Sequence, residues 1–341
     1  MNRSMTPPVA NHDSRLPHAL AVVLVCATFP LIWVGGMVTT YEAGMAVPDW
    51  PTTYGYNLFL YPWQTWLFGP WDLFVEHGHR LLGALIGMIT IAVVVAVWAC
   101  DSRRWVKFYS VAVLAAVIGQ GLLGGARVLQ DRRVLAMIHG TTGPLFFAMT
   151  VALAVFTSRY WRANTPAKLD QAATKLRRLT TLTAAIAYLQ IAIGAHLRHA
   201  GPMANPRTVQ LYVISHLVVA FALVVHIALA ANRVRRSFSG EALLRRPAWA
   251  LVALIVVQLL LGTATWVTNF GWPAWFEGYR WAERHVIAQE SLGQAVITTA
   301  HVATGSLIFV SAVLLALRSF RLVRWPAGSF VGATMMMGVA A

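Results

Sequence analysis

Read as a succession of apolar and polar positions, the chain resolves into eight apolar runs, near residues 19–41, 77–100, 107–126, 135–157, 179–197, 210–231, 248–268 and 292–317. About 20 apolar residues is the length a helix needs to cross the hydrocarbon of a bilayer, so the pattern predicts eight transmembrane helices. The second run carries no charge from Leu81 to Cys100. The first contains Pro30, which a membrane helix tolerates where neighbours satisfy the freed carbonyl. The predicted fold class is an all-α polytopic membrane protein.

Composition sharpens this reading by exclusion. The chain is 58% hydrophobic and 11% charged, whereas a soluble domain carries about 25% charge, so it cannot cover a soluble surface. Disorder needs the opposite balance. The net charge of +15 would suit nucleic acid only as a basic face on a folded soluble domain. Here Lys and Arg fall between the spans, and no nucleic-acid partner is expected. Segments 1–18, 101–107, 158–178, 232–247 and 318–341 hold 19 of the 27 Lys and Arg residues, while the alternate connections hold 7 and Arg80 sits at a helix start. Positive residues are retained in the cytoplasm, which predicts both termini inside; 8 of the 12 acidic residues fall on the outer side. A cleavable signal peptide competes for residues 15–41, but that run exceeds a typical signal and a second span follows. Cys26 and Cys100 lie inside apolar stretches and form neither a zinc spacing nor a disulfide framework.

The spans carry an internal pattern. Odd-numbered ones end on Gln120 to Gly124, Gln190 to Gly194 and Gln258 to Gly262, and the first offers Gly35-Gly36 at similar depth. Gln and Gly four apart share a helix face, where a small residue permits close approach and an amide can bond across it. Even-numbered spans each carry a histidine near the outer end: His79, His139, His216 and His301. The expectation is two tandem four-helix bundles related as a parallel repeat, residues 19–157 and 179–317. A cytoplasmic segment 1–18 precedes them, a basic cytoplasmic linker 158–178 joins them, and a tail 318–341 follows.

Polar groups at membrane depth are costly and usually functional. Four histidines at one depth therefore read as ligands, since neutral imidazole binds metal through its nitrogen lone pair. Two imidazoles from neighbouring helices can hold a haem iron from opposite faces, giving two bis-histidine sites. Zinc or copper fits less well, as no two of the four have local chelating spacing and no Cys joins them. His226, ten residues after His216, reads as packing; His77, His196, His199 and His285 read as interfacial. At the head of the second span, Glu76, His79 and Arg80 share one face. Glu76 is there either a helix-start carboxylate paired with Arg80 or a proton acceptor beside whatever His79 ligates.

Several of these pieces, in order, resemble the haem A synthase family of cytochrome oxidase assembly proteins: Gly35-Gly36-Met-Val, Gly44 to Pro51 with Pro48-Asp49-Trp50-Pro51, Glu76-x-x-His79-Arg80, Ile138-His139-Gly140, Ser215-His216 and His301 to Gly305. The likeness spans about residues 20–317. It implies an oxidoreductase of the cell membrane that converts haem O to haem A, oxidising one pyrrole methyl to a formyl group by successive hydroxylations. By that resemblance His79 and His139 would hold the substrate haem and Glu76 would be the catalytic carboxylate. His216 and His301 would ligate haem b, and Arg80 would meet a propionate or Glu76. The haem sites would lie toward the outer face. A haem O synthase and the oxidase assembly machinery are the implied partners, besides membrane lipid, with room left for a homo-oligomer.

Departures are visible too. Many bacterial members have an Arg and a Cys where this chain has Thr39 and Val47, so no thiol-dependent step is expected, and the way the substrate propionates are held is left open. The segment 42–76 is rich in aromatics, most of them expected to be interfacial anchors, with Trp50 the candidate lid over the porphyrin. Two rivals share the four histidines: a di-haem electron-transfer protein, and a non-enzymatic haem carrier or assembly factor.

Overall fold

A computed structural model of the chain describes residues 14–163, 171–201, 203–276, 278–288 and 291–322. Every long element is a helix: α1 (Leu16–Thr40), α2 (Trp71–Cys100), α3 (Arg104–Gln130), α4 (Arg133–Thr157), α5 (Gln171–Arg198), α6 (Pro206–Ser237), α7 (Ala242–Phe270) and α8 (Leu292–Leu322). All eight are long and apolar enough to cross a membrane, and the described residues contain no β-strand beyond one isolated bridge, Thr53 with Tyr56. Pro206 opens α6 and Asn205 caps it, its side chain accepting from the Arg207 N–H at 2.9 Å. Inside the spans threonines turn back on their own helix, as when Thr90 donates to Ile86 O at 2.7 Å and Thr157 to Leu153 O at 2.8 Å. That satisfies hydroxyls that have no water to meet.

The helices outrun the apolar runs. The expected second span opened at residue 77, but α2 starts at Trp71, which puts Glu76 in its second turn and leaves Asp72 as the acid of the first. Similarly, α5 starts at Gln171 and α8 runs to Leu322. A backbone hydrogen-bond ladder does not require apolar side chains, so a helix continues into the interfacial zone where hydropathy has already fallen.

Packing divides the helices into two groups. In the first, α1 packs on α2, α2 on α3, α3 on α4 and α4 back on α1; the second closes as α5, α6, α7, α8 and α5. The groups meet where α8 touches α1 and α4, and α4 touches α5. Accordingly 56% of the central window of α4 and 50% of that of α8 are buried, against 17–33% for the others. On α4 the neighbours Phe146 and Phe147 enter different cores. Phe146 joins Leu24, Ile86, Val93 and Leu153, whereas Phe147 joins Leu176, Ile227, Leu251 and Ile308. Burying side chains of this size stabilises by about 1.5–3 kcal/mol each in water. In lipid the gain comes from close packing instead. Polar ties cross the seam as well: Arg198 Nη2 donates to Gly36 O at 2.6 Å and to Thr40 Oγ1 at 2.5 Å, and Thr40 meets Thr299 at 3.3 Å. Residues 1–13 and 323–341, most of the two expected terminal segments, and 164–170 of the linker lie outside the described residues.

Candidate functional site

The four histidines stand in the N-terminal third of the even-numbered helices. Each packs its ring on a glycine of the helix before it. A Cβ added to Gly35 would lie 2.8 Å from His79 Cε1; at Gly124 the distance to His139 is 3.2 Å, at Gly194 to His216 3.1 Å, and at Gly262 to His301 3.0 Å. The glycines of the Gln-x-x-x-Gly endings are therefore the seats of the histidine rings. Their glutamines bond across the same contacts: Gln120 Nε2 donates to Thr142 Oγ1 at 2.6 Å, Gln190 Nε2 to His216 O at 3.0 Å, and Gln258 Nε2 lies 3.5 Å from His301 Nε2.

The rings come together in two pairs. His79 and His139 have centroids 6.4 Å apart with planes at 89°, and His216 and His301 are 6.3 Å apart at 58°. The Nδ1 atoms of all four are buried without a hydrogen-bond partner. Such an atom is expensive unless something else binds the ring. With metal–nitrogen bonds of about 2.0–2.1 Å and about 1.1 Å from ring nitrogen to ring centre, two imidazoles on opposite sides of one iron have centroids about 6.3 Å apart. The separations are those at which His79 with His139, and His216 with His301, would each hold one metal between them. Among the described residues no group of three or more His, Cys, Asp or Glu could hold a bare metal ion, in keeping with two-ligand sites. His226 also has a buried, unpartnered Nδ1, but no second imidazole faces it. Three further histidines have ordinary partners. His77 Nδ1 meets Thr53 Oγ1 at 3.1 Å among Tyr61 and Trp66, His196 meets Ala192 O, and His285 meets Val267 O. His77 is thus a buried anchor for the loop between α1 and α2.

One pair has a carboxylate beside it. Glu76, 1% exposed, accepts from the Val47 N–H at 2.9 Å through Oε2 and from Arg80 Nη2 at 2.8 Å through Oε1. Arg80 extends the clasp, donating to Val47 O at 2.6 Å, Asp49 O at 2.7 Å and Thr52 O at 2.9 Å. Of the two partners foreseen for Arg80, the structure brings it to Glu76 and to the backbone of the loop between α1 and α2. Asp49 shapes that loop by accepting from the N–H groups of Tyr54 and Gly55 at 2.8 Å each and from the Thr52 hydroxyl. Burial pushes the Asp49 carboxyl up, but the bonds from Gly55, Thr52 and Tyr54 outweigh it and hold the group below the usual carboxylate range. Trp50 lies flat on α3, where a Cβ on Gly125 would come within 2.3 Å of its indole. This places the candidate lid one residue from the glycine that seats His139. Thr39 turns its hydroxyl to Gly35 O at 3.3 Å, and fully buried Val47 enters the clasp through its backbone alone.

Two clefts of about 510 and 390 Å³ open elsewhere, one around Asp101, Arg103 and Trp161 and one between Trp33, Trp66 and Phe74. Neither is lined by the four histidines, which lie within the helix bundles.

Residues 70–205, which contain Glu76, His79, Arg80 and His139, match the family described as Cytochrome oxidase assembly protein (COX15-CtaA). Similar proteins include the Heme A synthase of Staphylococcus aureus (strain bovine RF122 / ET3-1), 26% identical over 271 residues, covering 72% of this chain and 84% of that one. The Heme A synthase of Symbiobacterium thermophilum is 28% identical over 179 residues, 50% of this chain and 55% of that one. Both comparisons support the haem A synthase family. The eight apolar helices and this likeness together indicate a multi-pass membrane protein, and the likeness implies the involvement of haem. Sequence reasoning singled out the histidines and the glycines separately, and missed both their pairing as ring and seat and a further cation, Arg127. Its signal was present, since Arg127 follows Gly124 by three residues in the last turn of α3.

Proposed function

We propose that this chain is a haem A synthase, with haem O held as substrate between His79 and His139 and haem b held between His216 and His301. The observation that carries this reading is the pairing itself: two imidazole pairs at 6.4 and 6.3 Å, every Nδ1 buried and unpartnered. Haem b, when bound, supplies a one-electron redox centre. From methyl to formyl, the carbon would take up one oxygen atom and give up two electrons to an external oxidant at each of two hydroxylations, and loss of water from the resulting diol would leave the formyl group. The protein's own part is to fix the porphyrin by two imidazoles, to exclude water with the loop over α2 and α3, and to hold one carboxylate near the reacting edge. Glu76 accepts a proton at a carboxylate oxygen, and Arg80 with the Val47 N–H holds it in place.

The asymmetry between the pairs favours this reading over a di-haem electron carrier. The residue three before His79 is Glu76, whereas the residues three before His139, His216 and His301 are Ala136, Val213 and Thr298. A carrier needs no carboxylate at one site alone.

In the membrane, the two helix groups read as a parallel repeat with both termini in the cytoplasm and the histidines toward the outer face. The common neighbour order, the recurring ring-on-glycine contacts and the Lys and Arg distribution support it. His79, His139, His216 and His301 lie 6–10 residues into their helices, about 9–15 Å along the axis. Haem O synthase as supplier and cytochrome oxidase as recipient follow from the proposed product.

The test is extraction and chromatography of haem from protein made with a haem O supply, compared with Glu76→Ala. Haem A or hydroxylated haem O beside haem b is expected in the parent. In Glu76→Ala the haem remains bound and no haem A forms. Normal haem A in Glu76→Ala would remove Glu76 from the chemistry, and haem b alone in the parent would point to the electron carrier.

A further inference from the structure

Arg127 is a cation with no ion pair among the described residues. It stands in the last turn of α3, where its guanidinium lies so close over Gly44 of the outer loop that a Cβ there would be 2.2 Å from Nη1. Among the described residues it makes no hydrogen bond, and the two ion pairs are Arg80–Glu76 and Arg103–Asp101. Glu76 has both oxygens engaged already. Arg127 is nonetheless an electrostatic neighbour of His79, His139 and Glu76. A half-buried, unpaired charge at the edge of a membrane bundle is costly, and such groups are normally matched by a partner. The charges nearest it are of both signs, Glu76 and Asp131 against Arg80. His199, just past the end of α5, is pushed down to about 4 by burial and by the charges of Arg198, Arg127 and Arg133, so at neutral pH it adds no charge of its own. Neither carboxylate forms an ion pair with Arg127, which leaves its guanidinium open to a further anion.

We propose that Arg127 is the carboxylate anchor of the N-terminal histidine pair, binding a propionate of the porphyrin held by His79 and His139. The inference rests on the function proposed above and deepens it. The planar fork of an arginine matches a carboxylate in a bidentate fashion. Arg80 cannot do the same, because its two terminal nitrogens are already committed to four oxygens. Thr39 offers no charge.

The full-length apoprotein in detergent is titrated with haem b and, separately, with its dimethyl ester, and the N-terminal site is identified as the low-spin signal that His79→Ala removes. In the parent, that site binds the free acid about 10- to 100-fold more tightly than the ester, the value of one charge-assisted hydrogen bond. Arg127→Gln brings the free acid down to the ester's affinity while the ester binds as before, and Arg127→Lys restores part of the preference. Undiminished preference in Arg127→Gln overturns the proposal, as does an equal fall for acid and ester, which would mark a purely structural role. Absence of any His79-dependent haem signal in the parent overturns the functional reading itself, and this inference with it.

Discussion

Replacing Gly35 with alanine is the most direct probe of the ring-on-glycine contact. The new Cβ would sit 2.8 Å from His79 Cε1, whereas carbon atoms rest about 3.5–4.0 Å apart. The imidazole must therefore retreat by about 0.7–1.2 Å. Metal–ligand distances tolerate only about 0.2 Å, so a ring that moves this far no longer matches a partner on His139. The same retreat is less serious for the unliganded fold, because a two-torsion side chain gives way more easily than a backbone, and overpacking there costs about 1–3 kcal/mol. Disturbing a group that orients a metal ligand lowers affinity by about 10- to 100-fold, or about 1.4–2.7 kcal/mol. The assay is haem titration of the purified full-length protein, followed by low-spin absorbance, with Gly87→Ala as control because a Cβ at Gly87 meets nothing within 4 Å. Gly35→Ala should lose the His79-dependent signal and keep the His216 and His301 signal; Gly262→Ala, whose Cβ falls 3.0 Å from His301, should do the reverse. Two haems bound by Gly35→Ala with unchanged affinity would refute the seat.

Other perturbations test the outer loop. Arg80→Ala leaves Glu76 buried and unpaired and frees three loop carbonyls, which should destabilise the clasp by about 3–5 kcal/mol, seen as faster hydrogen exchange across residues 42–62. Gly125→Ala drives a Cβ into the Trp50 indole and should expose that tryptophan to an aqueous fluorescence quencher without removing either histidine pair. Acid should loosen the loop through Asp49. Its carboxyl is held below the ordinary value, so its contribution is complete above about pH 3.9 and is lost as pH falls through the lower folded value. Asp49→Asn should flatten that dependence in a proteolysis profile taken between neutral pH and pH 3.

Much of this protein is legible from sequence because a bilayer is a severe solvent. Backbone groups in hydrocarbon must be satisfied within the segment, so eight apolar runs had to be eight helices, and a histidine near the start of each even-numbered helix put four donors at similar positions along their helices. Helix ends were less legible. Glu76 belongs to the second turn of α2 and not to its head, because the helix continues through Trp71 to Val75 on backbone bonds that hydropathy does not register. The motif did bring Glu76, His79 and Arg80 to one face, as i, i+3 and i+4 spacing requires.

Only the tertiary structure decided which residues meet across helices. That His79 faces His139 while His216 faces His301 depends on the closure of α1 to α4 and of α5 to α8, contacts between residues 60 and 85 positions apart in the chain. The glycines looked like packing residues, and packing is what they do, yet their position under the histidine rings follows from helix rotation, which no local pattern encodes. Arg127 shows the same limit. Its charge and its place on α3 are written in the sequence. Its isolation is not, because an ion pair is a property of two chain positions brought within 4 Å, and the fold committed the nearby carboxylate to Arg80 instead.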